Sequence, residues 1–331
     1  MDIKVPDPIF ILGILPRSGT NHLWDLLRLH PACVPARRPV REDLFLEHSD
    51  HLAHFVGAVE ASWDPRWGEF HDLADELYSS IGDGLLSFLW DERDRRLFTK
   101  SPSVRHIDRF FTFFPRARLV ILVRDGRSVT QSCMATFGWE FERAARSWAA
   151  AADEIRRFTS SDHGEHEERY LLVRYEDLIR DLHGSLRPLL RFLDLDEEDF
   201  DFAAAERLPV RGSSTYFGPD HDSVHWDPVP RSEDFDPLER WRSWDRGQHE
   251  RFEWIAGQQL RHFGYESIAE PIRTAYDIAI HRARDGTWTS RTAIRRLRYR
   301  ARTTIGTATR PLRERLGLVR PDRDAERSNR G

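Results

Sequence analysis

The chain has 331 residues, a net charge of −5 and 40% hydrophobic residues, with apolar and charged positions mixed along its whole length. That length holds one large α/β domain or two small ones, and the mixing excludes a disordered chain. The longest apolar runs, Ile9–Leu15 and Leu119–Val123, are strand-sized and too short to span a membrane. Residues 1–8 lack the basic and apolar regions of a secretion signal, and Cys33 and Cys133 have no Cys or His at ligand spacing. A cytoplasmic protein with two core cysteines and no metal is therefore expected.

Taken in chain order, Ile9–Leu15 is a continuous apolar run that suits a strand buried on both faces of a parallel sheet. Leu23, Leu26, Leu27 and His30 follow at helical spacing, with Ser18, Thr20 or Asn21 as N-cap and Pro31 as the stop. Residues 43–94 read as irregular helix. Leu97–Thr99 is a second short strand, leading to an amphipathic helix that carries Val104, Ile107, Phe110, Phe111 and Phe114. Leu119–Val123 is a third strand, followed by helices from about Ser128 and over Phe141–Phe158. Tyr170–Arg174 is a fourth strand and Leu182–Leu193 a helix. Residues 211–237 lack periodicity, as a lid or binding loop would, and a closing helix spans residues 238–265. Alternation of this kind predicts a parallel sheet with helices on both faces, with its polar turns converging on the carboxyl edge, where ligands bind.

Two of those turns carry anion chemistry. Gly13 to Asn21 contains the string Pro16-Arg17-Ser18-Gly19-Thr20-Asn21 between a buried strand and a helix. Such a turn aims backbone N–H groups at one spot, while Arg17 adds a charged fork and Ser18, Thr20 and Asn21 add neutral donors. It is not a Walker A loop, because the spacing is one residue too long and no Lys-Ser/Thr follows Gly19. Arg124 ends a strand and Ser132 lies one helical turn into the next element, an arginine and a hydroxyl placed to share a phosphate. Lysine occurs only at positions 4 and 100, arginine everywhere else. A GC-rich genome accounts for that bias, and the survival of Lys100 points to a need for a compact ammonium there.

These strings resemble the PAPS-dependent sulfotransferases. Pro16-Arg17-Ser18-Gly19-Thr20 looks like their 5′-phosphosulfate loop, and Leu122-Val123-Arg124-Asp125-Gly126-Arg127 with Ser132 looks like their 3′-phosphate element. Val173-Arg174-Tyr175-Glu176-Asp177-Leu178 resembles the strand end whose tyrosine lies near adenine, and Arg211-Gly212-Ser213-Ser214 the later loop that closes on the nucleotide. The resemblance covers residues 9–267. It implies a P-loop-like three-layer α/β fold over residues 1–272, beyond which the arginine-rich residues 273–331 read as a basic helical extension. It also implies 3′-phosphoadenosine 5′-phosphosulfate (PAPS) as co-substrate and a hydroxyl-bearing acceptor: a glycan, a lipid-linked group or a small molecule. By that analogy Arg17, Ser18, Gly19, Thr20 and Asn21 hold the 5′ end. Arg124, Ser132 and Arg211 hold the 3′-phosphate, with Tyr175, Gly212 and Ser213 completing the nucleotide site.

One departure decides the branch. Cytosolic small-molecule sulfotransferases carry Lys-Thr-His after the second strand, whereas this chain has Lys100-Ser101-Pro102. That string is closer to the tyrosylprotein and bacterial branches, which use a downstream glutamate as base. Glu42 is the candidate, with Glu47, His48 and His51 as alternatives and a surface ion pair as the bland role for Glu42. Lys100 and Arg17 would stabilise charge on the leaving nucleotide. The acceptor pocket is expected from residues 41–90 and 216–236, with Phe137 and Trp139. Trp63, Trp67, Trp90 and Trp226 are candidate platforms, although tryptophans are more often core. A P-loop-type kinase and a non-catalytic nucleotide-binding protein are the competing functions.

Residues 282–331 hold 15 arginines against five acidic side chains. Ile294, Leu297, Ala301 and Ile305 share one helical face among them. Residues 289–305 are thus a candidate contact with the inner membrane surface, against packing on the acidic body or disorder. Aromatic interleaving is nearly absent, and no nucleic-acid partner is expected.

Overall fold

The apolar runs become parallel strands because both of their faces are apolar. The computed structural model describes residues 7–37, 40–64, 66, 73–92, 94–161, 166–211, 228–229, 237–269 and 274–315. Strands β1 (Ile9–Gly13), β2 (Cys33–Pro35), β3 (Arg96–Ser101), β4 (Arg118–Val123) and β5 (Tyr170–Arg174) form one parallel sheet in the order β2-β3-β1-β4-β5. Alternation along the strands divides the core. Phe10, Leu12, Leu119, Ile121 and Val123 join Phe110, Phe113, Trp148 and Phe252 on one face. Ile9, Ile11, Val120, Leu122 and Val173 join Leu23, Leu26, Leu189 and Leu190 on the other. Each such side chain, fully buried, is worth about 1.5–3 kcal/mol relative to exposure.

The helices are α1 (Thr20–Leu27), α2 (Ser49–Glu60), α3 (Leu73–Leu89), α4 (Phe110–Phe113), α5 (Gly126–Phe137) and α6 (Phe141–Ser161). They continue with α7 (Tyr175–Arg180), α8 (Leu182–Phe192), α9 (Phe202–Glu206), α10 (Arg246–His262) and α11 (Ala275–Arg315). A short antiparallel pair, β6 (Val210–Arg211) and β7 (Pro228–Val229), stands apart from the main sheet. The predicted three-layer α/β architecture is therefore present. The chain divides into two compact units, Met1–Glu270 and Pro271–Gly331. Helix α11 belongs to the second, and its Ile294 and Leu297 are exposed. No described helix is long and apolar enough to cross a membrane.

Four local expectations change. Strand β2 is additional: three residues ending in proline carry no alternation, and an edge position tolerates a residue that cannot donate to the ladder. The N-cap of α1 is Gly19 rather than Ser18, Thr20 or Asn21. The amphipathic helix expected around residues 104–114 is a 3-10 turn, Ile107–Arg109, running into the four-residue α4. His106 enters it at φ 61, and Phe110, Phe111, Phe113 and Phe114 are all buried, so no exposed face is left for a longer helix. The closing helix splits into a 3-10 turn (Arg240–Ser243) and α10, because Asp245 and Gln248 form a capping box that starts a new helix.

Candidate active site

The loop after β1 is organised by its own side chains. The Ser18 hydroxyl donates to the Leu15 carbonyl at 2.5 Å and accepts from the Leu15 amide at 3.1 Å. Ser18 is fully buried, so this hydroxyl shapes the loop instead of facing outward. Arg17 sits at φ 76, a left-handed conformation unusual for a residue with a side chain. Its carbonyl accepts from Arg124 Nη1 at 2.6 Å, which helps hold that strained turn. Gly19 has φ 96, and a Cβ there would stand 2.2 Å from the Tyr175 ring. Only glycine combines that conformation with that approach. Among the described residues the amides of Gly19, Thr20 and Asn21, the first of α1, donate to no carbonyl within the fold.

Beside this loop the strand ends of β4 and β5 supply the rest of an anion corner. Arg124 lies over the Tyr175 ring at 4.6 Å, so Tyr175 underpins both Arg124 and Gly19. The Arg124 carbonyl accepts from the Trp148 indole at 3.1 Å. Ser132 Oγ, on α5, accepts from Arg17 Nε at 3.0 Å and from Arg240 Nη1 at 3.2 Å. With both lone pairs taken, its own proton is left to donate, and no described residue accepts it. Ser132 thus bridges Arg17 and Arg240 rather than meeting Arg124 directly. Burial, together with repulsion from Arg124 and Arg240, lowers Arg17 to about 10. Burial and Arg124 lower Arg240 to about 10 as well. Arginines that weaken one another's charge form a site that an anion would relieve.

Arg240 was not singled out from sequence. It is delivered by a segment clamped along α5: Arg124 Nη2 donates to the Pro237 carbonyl, Ser128 Oγ to the Leu238 carbonyl at 2.6 Å, and Trp244 Nε1 to Gln131 Oε1 at 2.8 Å. Arg240 and Arg242 look alike in sequence, and the fold separates them: Arg240 reaches Ser132, while the exposed Arg242 pairs with Glu239. The side chains of Arg211, Gly212 and Ser213, and Trp67, Tyr216 and Trp226, lie outside the described residues.

At the end of β3, Lys100 is 4% exposed and its Nζ donates to Glu42 Oε1 at 3.0 Å. The ammonium lies 5.8 Å from the Trp24 ring. Of the candidate bases, Glu42 is the one whose carboxylate reaches Lys100. His48 and His51 stack on each other, and His51 faces Asp50 at 4.0 Å. Trp90 is buried and donates to the Glu92 and Arg95 carbonyls, which makes it core rather than platform. Trp63 and Trp139 are half-buried. Among the described residues no three His, Cys, Asp or Glu side chains gather as metal ligands.

The residues at this edge fit a nucleotide carrying several phosphate-like charges. Ser101 Oγ and Arg124 Nε are buried donors with no partner among the described residues. Ser101 adds to the guanidinium groups of Arg17, Arg124 and Arg240, the Lys100 ammonium and the open amides at the start of α1. A set so dominated by donors calls for an acceptor-rich ligand.

A parallel α/β sheet that gathers cations and a Lys–Glu pair on its carboxyl edge has the ligand-binding edge of the open α/β folds. A family model described as the sulfotransferase family matches residues 8–199, more than half of the chain, and the chain belongs to that family. Over 204 residues it is 26% identical to a protein-tyrosine sulfotransferase of Drosophila melanogaster, covering 58% of this chain and 39% of the fly protein. It is 24% identical over 204 residues to protein-tyrosine sulfotransferase A of Caenorhabditis elegans, covering 58% of this chain and 51% of the nematode protein. The matched region thus spans about half or less of those relatives. The sulfotransferase domain of the Synechococcus PCC 7002 olefin synthase aligns with a TM-score of 0.48 at 24% identity, covering 80% of this chain and 98% of that domain. Both of these animal relatives are of the tyrosylprotein type, one of the two types that the Lys100-Ser101-Pro102 string resembles.

Proposed function

We propose that this chain transfers a sulfuryl group from PAPS to an acceptor hydroxyl, on a glycan, a lipid-linked group or a small molecule, with Glu42 as base. The observation that carries this reading is the placement of an anion corner and a Lys100–Glu42 pair at the ends of three adjacent strands, β3, β1 and β4. When bound, PAPS supplies the activated sulfuryl group and a nucleotide that departs with its phosphates.

The chain's own residues do the rest. Arg17 and the amides of Gly19, Thr20 and Asn21 bind the 5′ end, within a loop whose shape Ser18 sets. Arg124, Arg240 and the Ser132 hydroxyl bind the 3′-phosphate, above Tyr175. Arg211, Gly212 and Ser213 close on the nucleotide. Lys100 keeps two further N–H donors beyond the one given to Glu42 and places them where charge grows on the leaving oxygen. Glu42 accepts the proton of the acceptor hydroxyl at its carboxylate. Such a transfer rests mainly on positioning and charge stabilisation, which buried, mutually bonded side chains supply. A kinase would want a lysine after Gly19, where this chain has Thr20 and Asn21.

The test is calorimetric titration with 3′-phosphoadenosine 5′-phosphate (PAP) without metal, against ATP with Mg²⁺. Metal-independent binding of PAP that weakens about a hundredfold in Arg124→Ala is expected, on the scale of losing a charge-assisted phosphate contact. Preference for ATP with Mg²⁺, indifferent to the 3′-phosphate, would replace this function with the kinase.

A further inference from the structure

Asp43 is a buried carboxylate with no role in the chemistry above, yet it is bonded on every side. Its Oδ2 accepts from Thr99 Oγ1 at 2.8 Å and its Oδ1 from the Phe45 amide at 3.1 Å. Its own amide donates to the Lys100 carbonyl at 3.1 Å. Leu44 follows at φ 52, a left-handed conformation that turns the chain away at once. Burial pushes the Asp43 carboxyl up to about 6, against the opposing pull of Thr99, Phe45 and Lys100. Burying a carboxylate is costly, and its surroundings show what this one holds.

Strand parity explains the arrangement. Thr99 and Lys100 are successive residues of β3, so their side chains leave on opposite faces of the sheet. Asp43 meets Thr99, and Glu42, one residue earlier, meets Lys100. The chain reaches this point after docking at Ala36, whose amide donates to the Phe98 carbonyl at 3.0 Å, and returns to the same strand at Asp43. The Glu42 side chain itself is 32% exposed, so its ion pair alone orders it weakly.

We propose that Asp43 and Thr99 are positioning residues that clamp residues 42–45 onto β3 and so hold the Glu42 carboxylate against Lys100. This rests on Glu42 being the base of the proposed transfer, but the clamp itself can be read without any activity. Lys4 and Lys100 are the only lysines, so a chain carrying ¹³Cε-labelled lysine gives two signals. In Glu42→Gln the Lys100 signal moves as its carboxylate is lost. In Thr99→Val it should move in the same direction by at least half as much, while Thr99→Ser, which restores the hydroxyl, should return it to the wild-type position. Adding Thr99→Val to Glu42→Gln should move it no further, since the two act through one contact. Asp43→Asn serves as the second variant should Thr99→Val fail to fold. A folded Thr99→Val or Asp43→Asn chain with the Lys100 signal at its wild-type position would overturn the clamp. Single-turnover consumption of PAPS, expected to fall about tenfold in Thr99→Val, reads the base separately. A moved signal with unchanged consumption in both Thr99→Val and Glu42→Gln would remove Glu42 as base and leave the clamp standing.

Discussion

The anion corner and the base edge lie at the ends of neighbouring strands, but they are held in different ways. At the corner most anchors end on main chain: Arg124 on the carbonyls of Arg17 and Pro237, Ser18 on Leu15, Ser128 on Leu238. At β3, Glu42 is held by one ion pair and a two-residue clamp, with a third of its side chain exposed. Main-chain acceptors cannot be removed by substitution, so the corner loses an anchor only when one of the donors, Arg124, Ser18 or Ser128, is itself replaced. Glu42, the proposed base, depends on side chains that one substitution removes.

Separating the two regions experimentally gives the largest expected effect first. Glu42→Gln and Lys100→Ala should each lower single-turnover consumption of PAPS about a hundredfold or more. PAP affinity by calorimetry should stay within about threefold in Glu42→Gln, whose carboxylate gives the nucleotide no donor, and should fall further in Lys100→Ala, which also loses a donor to the oxygen that PAP carries. A parallel collapse of PAP affinity in Glu42→Gln would mean that the two regions are one site. Gly19→Ala should show the reverse pattern. Its new methyl meets the Tyr175 ring at 2.2 Å and must displace it from beneath Arg124. A stability loss of about 1–3 kcal/mol is expected, with PAP bound roughly tenfold more weakly (about 1.4 kcal/mol). Near-wild-type values in both would show that the loop does not lean on Tyr175.

The clamp gives a third test, read from pH. Folding raises the Asp43 carboxyl from 3.8 to about 6, so the folded chain binds that proton more tightly than the unfolded one. Its favourable contribution is fully present below pH 3.8 and is lost as the pH rises to about 6. Asp43→Asn removes this dependence. The stability gap between wild type and variant, from urea unfolding, should shift in the variant's favour by about 2 kcal/mol between roughly pH 4.5 and 7.5. A gap that does not change with pH would place Asp43 in a more solvated setting than its contacts indicate.

Much of the fold was legible because buried parallel strands announce themselves as apolar runs: Ile9–Gly13, Arg118–Val123 and Tyr170–Arg174 fall where those runs do. Strand β2 was not, since Cys33-Val34-Pro35 is an edge piece without periodicity. Within the site, Arg17, Gly19, Arg124 and Ser132 stood out because strand–turn–helix spacing places them, and Lys100 because lysine is so rare here. Arg240 did not, because nothing local tells it from Arg242; its position comes from a segment pinned to α5 more than a hundred residues earlier. Asp43 was hidden in the same way, its partner Thr99 lying 56 positions away.

The amino-acid order by itself determined the parallel sheet, the two anion turns and the edge on which they meet, since these follow from hydrophobic period and short-range turn chemistry. The tertiary structure alone decided which hydroxyls shape the loop and which bridge cations, so that Ser18 turns inward and Ser132 gathers two guanidinium groups. It also chose Glu42 over Glu47, His48 and His51 as the partner of Lys100. Those choices depend on contacts between elements far apart in the chain, which no local periodicity encodes.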